Sequence, residues 1–373
     1  MTKINKSTIA KLIISLPFIY FFFYKDILPF HFQWDTDATV TIDTLLINSG
    51  LLPAHINHPS YGMYWLQSII SNVAGLITIN FKYAHDLNSL IACDNMMKCI
   101  ANHAGLLQFL SKIVVGLTIS TLLLIIWRAA KSIPVVIIAC LILIFDEGLI
   151  YNSVIIKSEV YAFFFFIISL YFLQSAHENS RLKSVYFLQP ANENSPLKYI
   201  FLAGIFAGLA YFTKIQYVLY IVSLFFLVPF IDTRKSKSTL NNLYLAALLI
   251  YFLVLVLTAK YGLPPHVFED TANLNFFNRI SIIFWVLLFT QLGFNIYLQR
   301  TSIQPNFYIG AGRNLIFFFN GFCASLLLPL FTNGPIFGTK LSSQAYAMGL
   351  ARDLTDKARD PYDSWSTFLP PWH

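Results

Sequence analysis

Apolar segments, each close to the roughly 20 residues needed to cross a bilayer, recur along most of this chain of 373 residues. Only 12% of the residues are charged, which is about half the proportion found in soluble domains. Length alone would suggest about two or three soluble domains, but the repeated apolar segments exclude that interpretation. The sequence therefore predicts an all-α polytopic membrane protein.

Taken as helices, the apolar segments predict about nine transmembrane spans. They cover residues 8–24, 107–127, 134–150, 159–175, 197–213, 215–231, 241–259, 277–297 and 314–331. Lysines precede the first segment as in a signal peptide, but no small-x-small cleavage site follows it, so we predict an uncleaved first span. Residues 1–331 then form one transmembrane domain, and residues 332–373 form a polar tail on the outer side.

A further segment, residues 61–81, is long enough to cross the membrane and decides the topology. If it lies along the outer surface, residues 25–106 form one outer loop and the later loops sort by charge as the positive-inside rule requires. If it crosses, Arg128 and Lys131 move outside. We therefore predict a surface helix here, a cytoplasmic N-terminus and a location in a bacterial inner membrane.

With this topology, the inner loops carry the basic residues Lys3, Lys6, Lys11, Arg128, Lys131, Arg181, Lys183, Lys198, Arg234, Lys235, Lys237, Arg300 and Arg313, against only Glu178, Glu193 and Asp232. The net charge of +7 is thus distributed over short loops and forms no aromatic-interleaved basic patch, which argues against a nucleic-acid partner.

The first outer loop contains most of the unusual polar residues. Residues 37–47 have helical spacing, with Val40 and Leu45 on one side and Asp43 on the other, and Asn48-Ser49-Gly50 provides a stop. This pattern predicts a second helix lying on the membrane face. Cys93 and Cys99 share a polar stretch of the same loop and can form a disulfide if the loop lies outside.

A charge inside or beside a span costs several kcal/mol unless it is paired or hydrated, so ionisable residues at span ends are candidates for function. On the predicted outer face these are Asp35, Asp37, His58, Lys157, Glu159 and Lys214. Such a set suits a reaction that needs a base for a hydroxyl group and cations for an anionic leaving group.

Each candidate also has a simpler explanation. An acid near a helix N-terminus is favoured by the helix dipole, which accounts for Asp37. The His58-Pro59 pair is typical of an X-Pro turn, and either lysine can be snorkelling to the interface. The sequence contains no Walker loop and no zinc-site spacing, so we expect no cofactor and leave a metal requirement open.

Several segments, taken in order, resemble a known family. The outer loop opens with Asp35-Thr36-Asp37 and continues to His58-Pro59. Later come residues 156–162, with Glu159 as the acid, and residues 202–214, which end in Phe212-Thr213-Lys214. This order resembles the GT-C glycosyltransferases, and especially the group of protein O-mannosyltransferases and lipid A aminoarabinose transferases. The resemblance covers roughly residues 8–232, with Thr36 at the place of the usual second acid.

The resemblance implies a GT-C-like helical bundle and an inverting glycosyltransferase that uses a polyprenyl-phosphate-linked sugar on the outer face. Asp35 or Asp37 would be the general base. Lys214, supported by Lys157 or Lys112, would stabilise the departing lipid phosphate. Glu159 and His58 would orient the donor or a hydroxyl-bearing acceptor, and the phenylalanines at 163–166 would contact the lipid tail.

Two other functions remain open at this point. A transporter or flippase would move the lipid-linked sugar without chemistry, but it predicts charges deep within spans and discontinuous helices in an internal repeat. A non-catalytic relative would bind lipid carriers or partner proteins only.

Overall fold

The computed structural model describes residues 6–24, 39–49, 61–77, 86–185, 196–214, 217–231 and 307–325. All of them belong to one compact unit, formed by Met1–His55, Pro59–Ser236 and Asn306–Leu341. The second unit, formed by Ile56–His58, Lys237–Pro305 and Ser342–His373, lies outside the described residues.

Within the described residues the chain is helical and has no strand. The helices are α1 (Lys6–Phe23), α2 (Thr39–Asn48), α3 (Tyr61–Ile77), α4 (Leu87–Ile91), α5 (Met96–Ala130), α6 (Ile133–Ile144), α7 (Glu147–Ser153), α8 (Ser158–Val185), α9 (Pro196–Thr213), α10 (Val218–Leu227) and α11 (Phe307–Ala324), with a 3-10 turn at Val228–Phe230. The predicted all-α class is confirmed for this part of the chain.

Four of these helices contain segments long and apolar enough to cross a membrane: Lys6–Phe23, Met96–Ala130, Ser158–Ser180 and Pro196–Thr213. The pair α6 and α7 is a fifth if it counts as one broken span, because its two helices meet at 58°. Side chains that face outward from α6 are large and apolar, as at Ile138 and Ile142. These features support a membrane-embedded helical protein.

The predicted count of nine spans is not confirmed. The predicted spans 241–259 and 277–297 lie outside the described residues. The predicted span 215–231 becomes the shorter helix α10 followed by a 3-10 turn. The predicted span 314–331 corresponds to α11, which begins earlier, at Phe307, and is not among the four long apolar helices.

The predicted straight span 134–150 is broken near its end. The side chain of Asp146 accepts a hydrogen bond of 2.7 Å from the backbone N–H of Leu149. This contact caps the first turn of α7, so a new helix starts there and α6 ends at Ile144.

Helix contacts define the direction of each long helix. Phe22, late in α1, packs against Phe109, early in α5, whereas Phe18 approaches Gly116 further along α5. The two helices are therefore antiparallel. Helix α1 ends and α5 begins at the same end of the bundle, so the number of crossings between them is even. Helix α3 therefore cannot be a single crossing between these two helices. The placement of residues 61–81 along the outer surface stays a prediction, because residues 78–81 lie outside the described residues.

Side-chain contacts also give the directions of α8 and α9. Ser111 of α5 contacts Tyr161 of α8, and Ile125 further along α5 contacts Gln174, so α5 and α8 are parallel. The ring of Phe206 in α9 packs on both Phe165 and Phe172 of α8. Tyr199, which comes earlier in α9, packs on Phe172, the later of these two α8 residues. Moving forward along α9 therefore means moving back along α8, so the two helices are antiparallel.

Glycine allows α9 and α11 to pack closely. A Cβ atom built on Gly204 would collide with the backbone carbonyl of Phe318, and one on Gly208 would collide with Ser325. Gly204 and Gly208 form a Gly-x-x-x-Gly pattern, which is typical of closely packed membrane helices.

A disulfide joins Cys93, just after α4, to Cys99 in the first turns of α5. Cys99 also packs with Leu45 of α2 and Leu90 of α4 in a small apolar cluster. The two cysteines that the sequence left as a candidate pair are therefore bonded, and the bridge supports the end of α2.

Candidate functional site

An ion pair joins the start of α8 to the end of α9. Lys214 follows the last residue of α9, and its backbone N–H still donates to the carbonyl of Ala210 at 3.0 Å. Glu159 lies in the first turn of α8, where an acid is favoured by the helix dipole. The Lys214 Nζ and Glu159 Oε1 atoms are 2.7 Å apart. Because α8 and α9 are antiparallel neighbours, these two termini meet.

The ion pair is accessible to solvent but unequally so. The side chain of Lys214 is 21% exposed and that of Glu159 is 50% exposed. Apart from Lys214, the Glu159 carboxylate has the neighbouring Ser158 hydroxyl at 3.3 Å as a polar contact. The pair is therefore reachable by a ligand, and Glu159 is the more exposed of the two side chains.

Tyr217, at the start of α10, anchors the backbone next to the pair. Its hydroxyl donates to the carbonyl oxygen of Glu159 at 3.3 Å. Its ring packs against Phe166 and Tyr220. A tyrosine hydroxyl is protonated at neutral pH, so it can act as the donor in this contact.

Lys157 is the second cation near Glu159. It contributes to the electrostatic field at that carboxylate, and its ammonium lies 5.3 Å from the ring centre of Tyr151 in α7. The structure therefore places Lys157, Glu159 and Lys214 in one neighbourhood, which we call the ionic site.

Lys112 takes up a different position. It is almost fully buried in α5, and its ammonium donates to the carbonyl oxygen of Tyr24 at 2.6 Å, while the ring of Tyr24 lies 5.6 Å away. The carbonyls at the end of a helix lack intrahelical partners, so this contact satisfies one of them at the end of α1. Lys112 thus joins α5 to α1.

The remaining predicted site residues, Asp35, Asp37 and His58, lie outside the described residues. The structure does show the two helices that follow them. Helix α2 begins at Thr39, and α3 begins at Tyr61, where Gly62 lies against Thr213 at the end of α9. The start of α3 is therefore next to the residue that precedes Lys214.

A buried polar network that sequence reasoning missed connects these helices. The hydroxyl of Tyr64 donates to Asp43 Oδ2 at 2.8 Å, and both residues are buried. Thr44 contacts Gln67 at 3.2 Å, and Gln67 in turn donates to the hydroxyl of Tyr161 in α8 at 3.3 Å. The polar side of α2, with Asp43 and Thr44, therefore faces α3.

The network continues with Ser68 of α3, which donates to Asn48 of α2. One signal in the sequence could have revealed it: Gln67, Ser68 and Ser71 are close to one side of a helix in an otherwise apolar segment. Polar residues gathered on one side of a helix need a polar partner when that side is buried.

A cavity of about 140 Å³ borders the ionic site. It is lined by Val115, Thr118, Leu149, Asn152, Glu159, Val160, Phe163 and Tyr217. Most of these side chains are apolar, and Phe163 belongs to the stretch predicted to contact a lipid tail. The cavity thus places apolar walls beside a carboxylate that is paired with a lysine.

No protein-family model, no curated protein and no solved structure matches this chain. What the site can do therefore follows from its chemistry. Within the described residues, no group of three or more histidines, cysteines or acids is placed to hold a metal ion. The ionic site has two cations and one anion beside an apolar cavity, which suits an amphiphile with an anionic head.

Proposed function

We propose that this protein is a membrane glycosyltransferase that transfers a sugar from a polyprenyl-phosphate-linked donor to a hydroxyl acceptor on the outer face. The observation that carries the proposal is the contact between Lys214 and Glu159. It brings together two of the segments, 156–162 and 202–214, on which the resemblance to GT-C enzymes rests.

The reaction assigned to the site is a displacement at the anomeric carbon of the sugar. The bond from this carbon to the phosphate oxygen breaks, and a bond to the acceptor oxygen forms. The acceptor proton passes to Asp35 or Asp37, and the electron pair leaves with the lipid phosphate. Lys214, with Lys157 close by, stabilises the charge that develops on the phosphate.

Two observations support the outer face. The disulfide between Cys93 and Cys99 is typical of an oxidising compartment and lies in the loop predicted to be outside. The opposite end of the bundle carries Arg128 and Lys131 at the end of α5, as expected for the cytoplasmic side.

The hydrophobic part of the donor has a matching surface. The cavity beside Glu159 has mainly apolar walls and includes Phe163. Its volume of about 140 Å³ suits part of a prenyl chain next to the phosphate, while the rest of the chain would lie among the exposed apolar side chains of the bundle.

The test is transfer by purified full-length protein in lipid nanodiscs supplied with a panel of labelled polyprenyl-phosphate sugars. Lys214→Gln should lower the transfer rate at least tenfold, because the developing phosphate charge loses its cation. Lys98→Gln removes an exposed lysine on the same predicted side and is the matched control.

Asp35→Ala and Asp37→Ala, singly and together, identify the general base. Unchanged transfer in the double variant would show that neither aspartate is the base. Movement of the labelled lipid across the membrane of proteoliposomes, with no sugar released from any donor, would instead identify a flippase.

A further inference from the structure

Lys214, the residue proposed to hold the donor phosphate, already has an anionic partner within the protein. Its ammonium nitrogen is 2.7 Å from a carboxylate oxygen of Glu159. A phosphate bound to Lys214 would therefore lie close to a carboxylate of the same sign. Like charges at such a distance repel each other, so Glu159 must affect which phosphates this site accepts.

The charges of the ionic site can be added directly. Lys157 and Lys214 contribute +2 and Glu159 contributes −1, which leaves +1. A sugar linked through phosphate to a lipid is a phosphodiester with one negative charge. The lipid phosphate released by transfer is a monoester that carries close to two negative charges above its second pKa of about 6. The net charge of the site thus matches the substrate better than the product.

We propose that Glu159 is an internal counter-anion that makes the ionic site prefer the monoanionic phosphodiester donor over the dianionic lipid phosphate product. This inference rests on the proposed function and goes beyond it, because it assigns Glu159 to charge selection and to product release. The balanced transfer reaction adds one negative charge at the phosphate, and Glu159 opposes that charge once transfer is complete.

The surroundings of Glu159 fit this role. The backbone of Glu159 is held by the Tyr217 hydroxyl, whereas its carboxylate is half exposed and borders the cavity. The side chain can therefore turn within its space while the helix start stays in place. Since the backbone is anchored and the carboxylate is paired with Lys214 at a solvent-accessible edge, Glu159 can adjust to a ligand without moving α8.

The experiment measures binding, so it does not depend on transfer. The full-length protein in nanodiscs is titrated at pH 8 with farnesyl phosphate, a monoester, with methyl farnesyl phosphate, its diester, and with farnesol. The variants are Glu159→Gln, Lys214→Gln and the double variant. Glu147→Gln, which removes an exposed acid at the start of α7, is the matched control.

Glu159→Gln should tighten binding of the monoester about two- to fivefold, the size expected for a partly exposed charge pair. It should tighten the diester less and leave farnesol unchanged. The double variant should bind the monoester more tightly than Lys214→Gln alone, because the repulsion between the Glu159 carboxylate and the phosphate remains when the lysine is removed. Glu147→Gln should not alter the ratio of monoester to diester affinity.

An unchanged ratio in Glu159→Gln, or weaker monoester binding, overturns the inference and leaves the proposed function standing. Equal wild-type affinity for farnesol and both esters overturns the phosphate contact itself, and the inference with it. Inorganic phosphate that competes as well as farnesyl phosphate would show a free-phosphate site and overturn the lipid assignment.

Glu159→Asp keeps the experiment decisive if Glu159→Gln does not fold. It retains the negative charge on a shorter side chain, so the ratio of monoester to diester affinity should remain that of the wild type. A ratio shifted toward the monoester in Glu159→Asp would show that the contact, and not the charge, sets the preference.

Discussion

At the scale of single residues, lysines with the same predicted role occupy different environments. Lys214 is partly exposed and paired with an acid, whereas Lys112 is buried and bound to a backbone carbonyl. A lysine that is paired at the edge of a cavity can exchange its partner for a ligand. A buried lysine that satisfies the end of a helix stabilises the fold instead, because removing it leaves a polar group without compensation.

Tyr64 provides the clearest test of the buried network at this scale. Tyr64→Phe removes the hydroxyl that donates to the buried carboxyl group of Asp43. A lost hydrogen bond to a buried charged group costs about 1.5–3 kcal/mol, so the free energy of unfolding should fall by that amount. The measurement is reversible SDS-induced unfolding of the purified protein.

The control for this prediction is Tyr220→Phe, which alters an exposed tyrosine of α10. Equal stability of the Tyr64→Phe variant and the wild type would show that the contact between α2 and α3 does not depend on this hydrogen bond.

At the scale of elements, the two longest helices extend beyond their predicted spans in opposite directions. Helix α5, with 35 residues, is about 52 Å long and exceeds the roughly 30 Å of the hydrocarbon core. Its first turns support α2 and α4 through the cluster around Cys99. The last turns of α8 lie at the opposite end, where Ser175 accepts a hydrogen bond from Arg128.

The contact between α9 and α11 depends on the absence of a side chain. Gly204→Ala should lower the free energy of unfolding by about 1–3 kcal/mol, because the new methyl group meets the backbone of α11 and forces the helices apart. Gly105→Ala in α5 is the matched control, since a Cβ there has no neighbouring atom within 4 Å. The same SDS unfolding assay compares the two variants.

If both glycine variants are equally stable, the close approach of α9 and α11 contributes nothing to the fold. A stabilised Gly105→Ala variant is expected, because alanine is the better helix former.

At the scale of the whole molecule, the alternation of helix directions separates two ends. One end holds the ionic site, the end of α1 and the polar network. The other end holds Arg128, whose guanidinium contacts Tyr171 and Ser175 and lies 3.9 Å from Glu178. The loop charges predict that basic residues gather on one side of the membrane. The helix directions agree for Arg128, which lies at the end opposite the ionic site.

Cysteine labelling in intact cells tests which end faces outward. In a Cys140→Ser/Cys323→Ser background, which leaves only the disulfide-bonded Cys93 and Cys99, Glu147→Cys should react with a membrane-impermeant maleimide, and Lys131→Cys should react only after permeabilisation. Both positions are exposed and lie at opposite ends of the bundle. The reverse pattern would place the ionic site in the cytoplasm and contradict the proposed outer-face reaction.

Much of the fold could be predicted because apolar periodicity and length are local properties. The helices at 107–127, 159–175 and 197–213 were expected from their apolar runs, and each lies within a helix of the structure. The predicted helix 8–24 corresponds to α1, which ends one residue earlier, at Phe23. Cys93 and Cys99 were a candidate pair because they share a loop predicted to lie outside, and the glycine spacing in α9 is typical of the close packing at Gly204.

The sequence by itself determined that the apolar segments form helices, because a segment in a membrane must satisfy its own backbone hydrogen bonds. It also determined that charges collect at helix ends, because a charge inside a span is costly. Only the tertiary structure decided which charges meet. It paired Glu159 with Lys214 across two antiparallel helices, assigned Lys112 to Tyr24 and buried Asp43 against Tyr64. These contacts depend on how helices distant in sequence pack, and periodicity within one helix does not encode that packing.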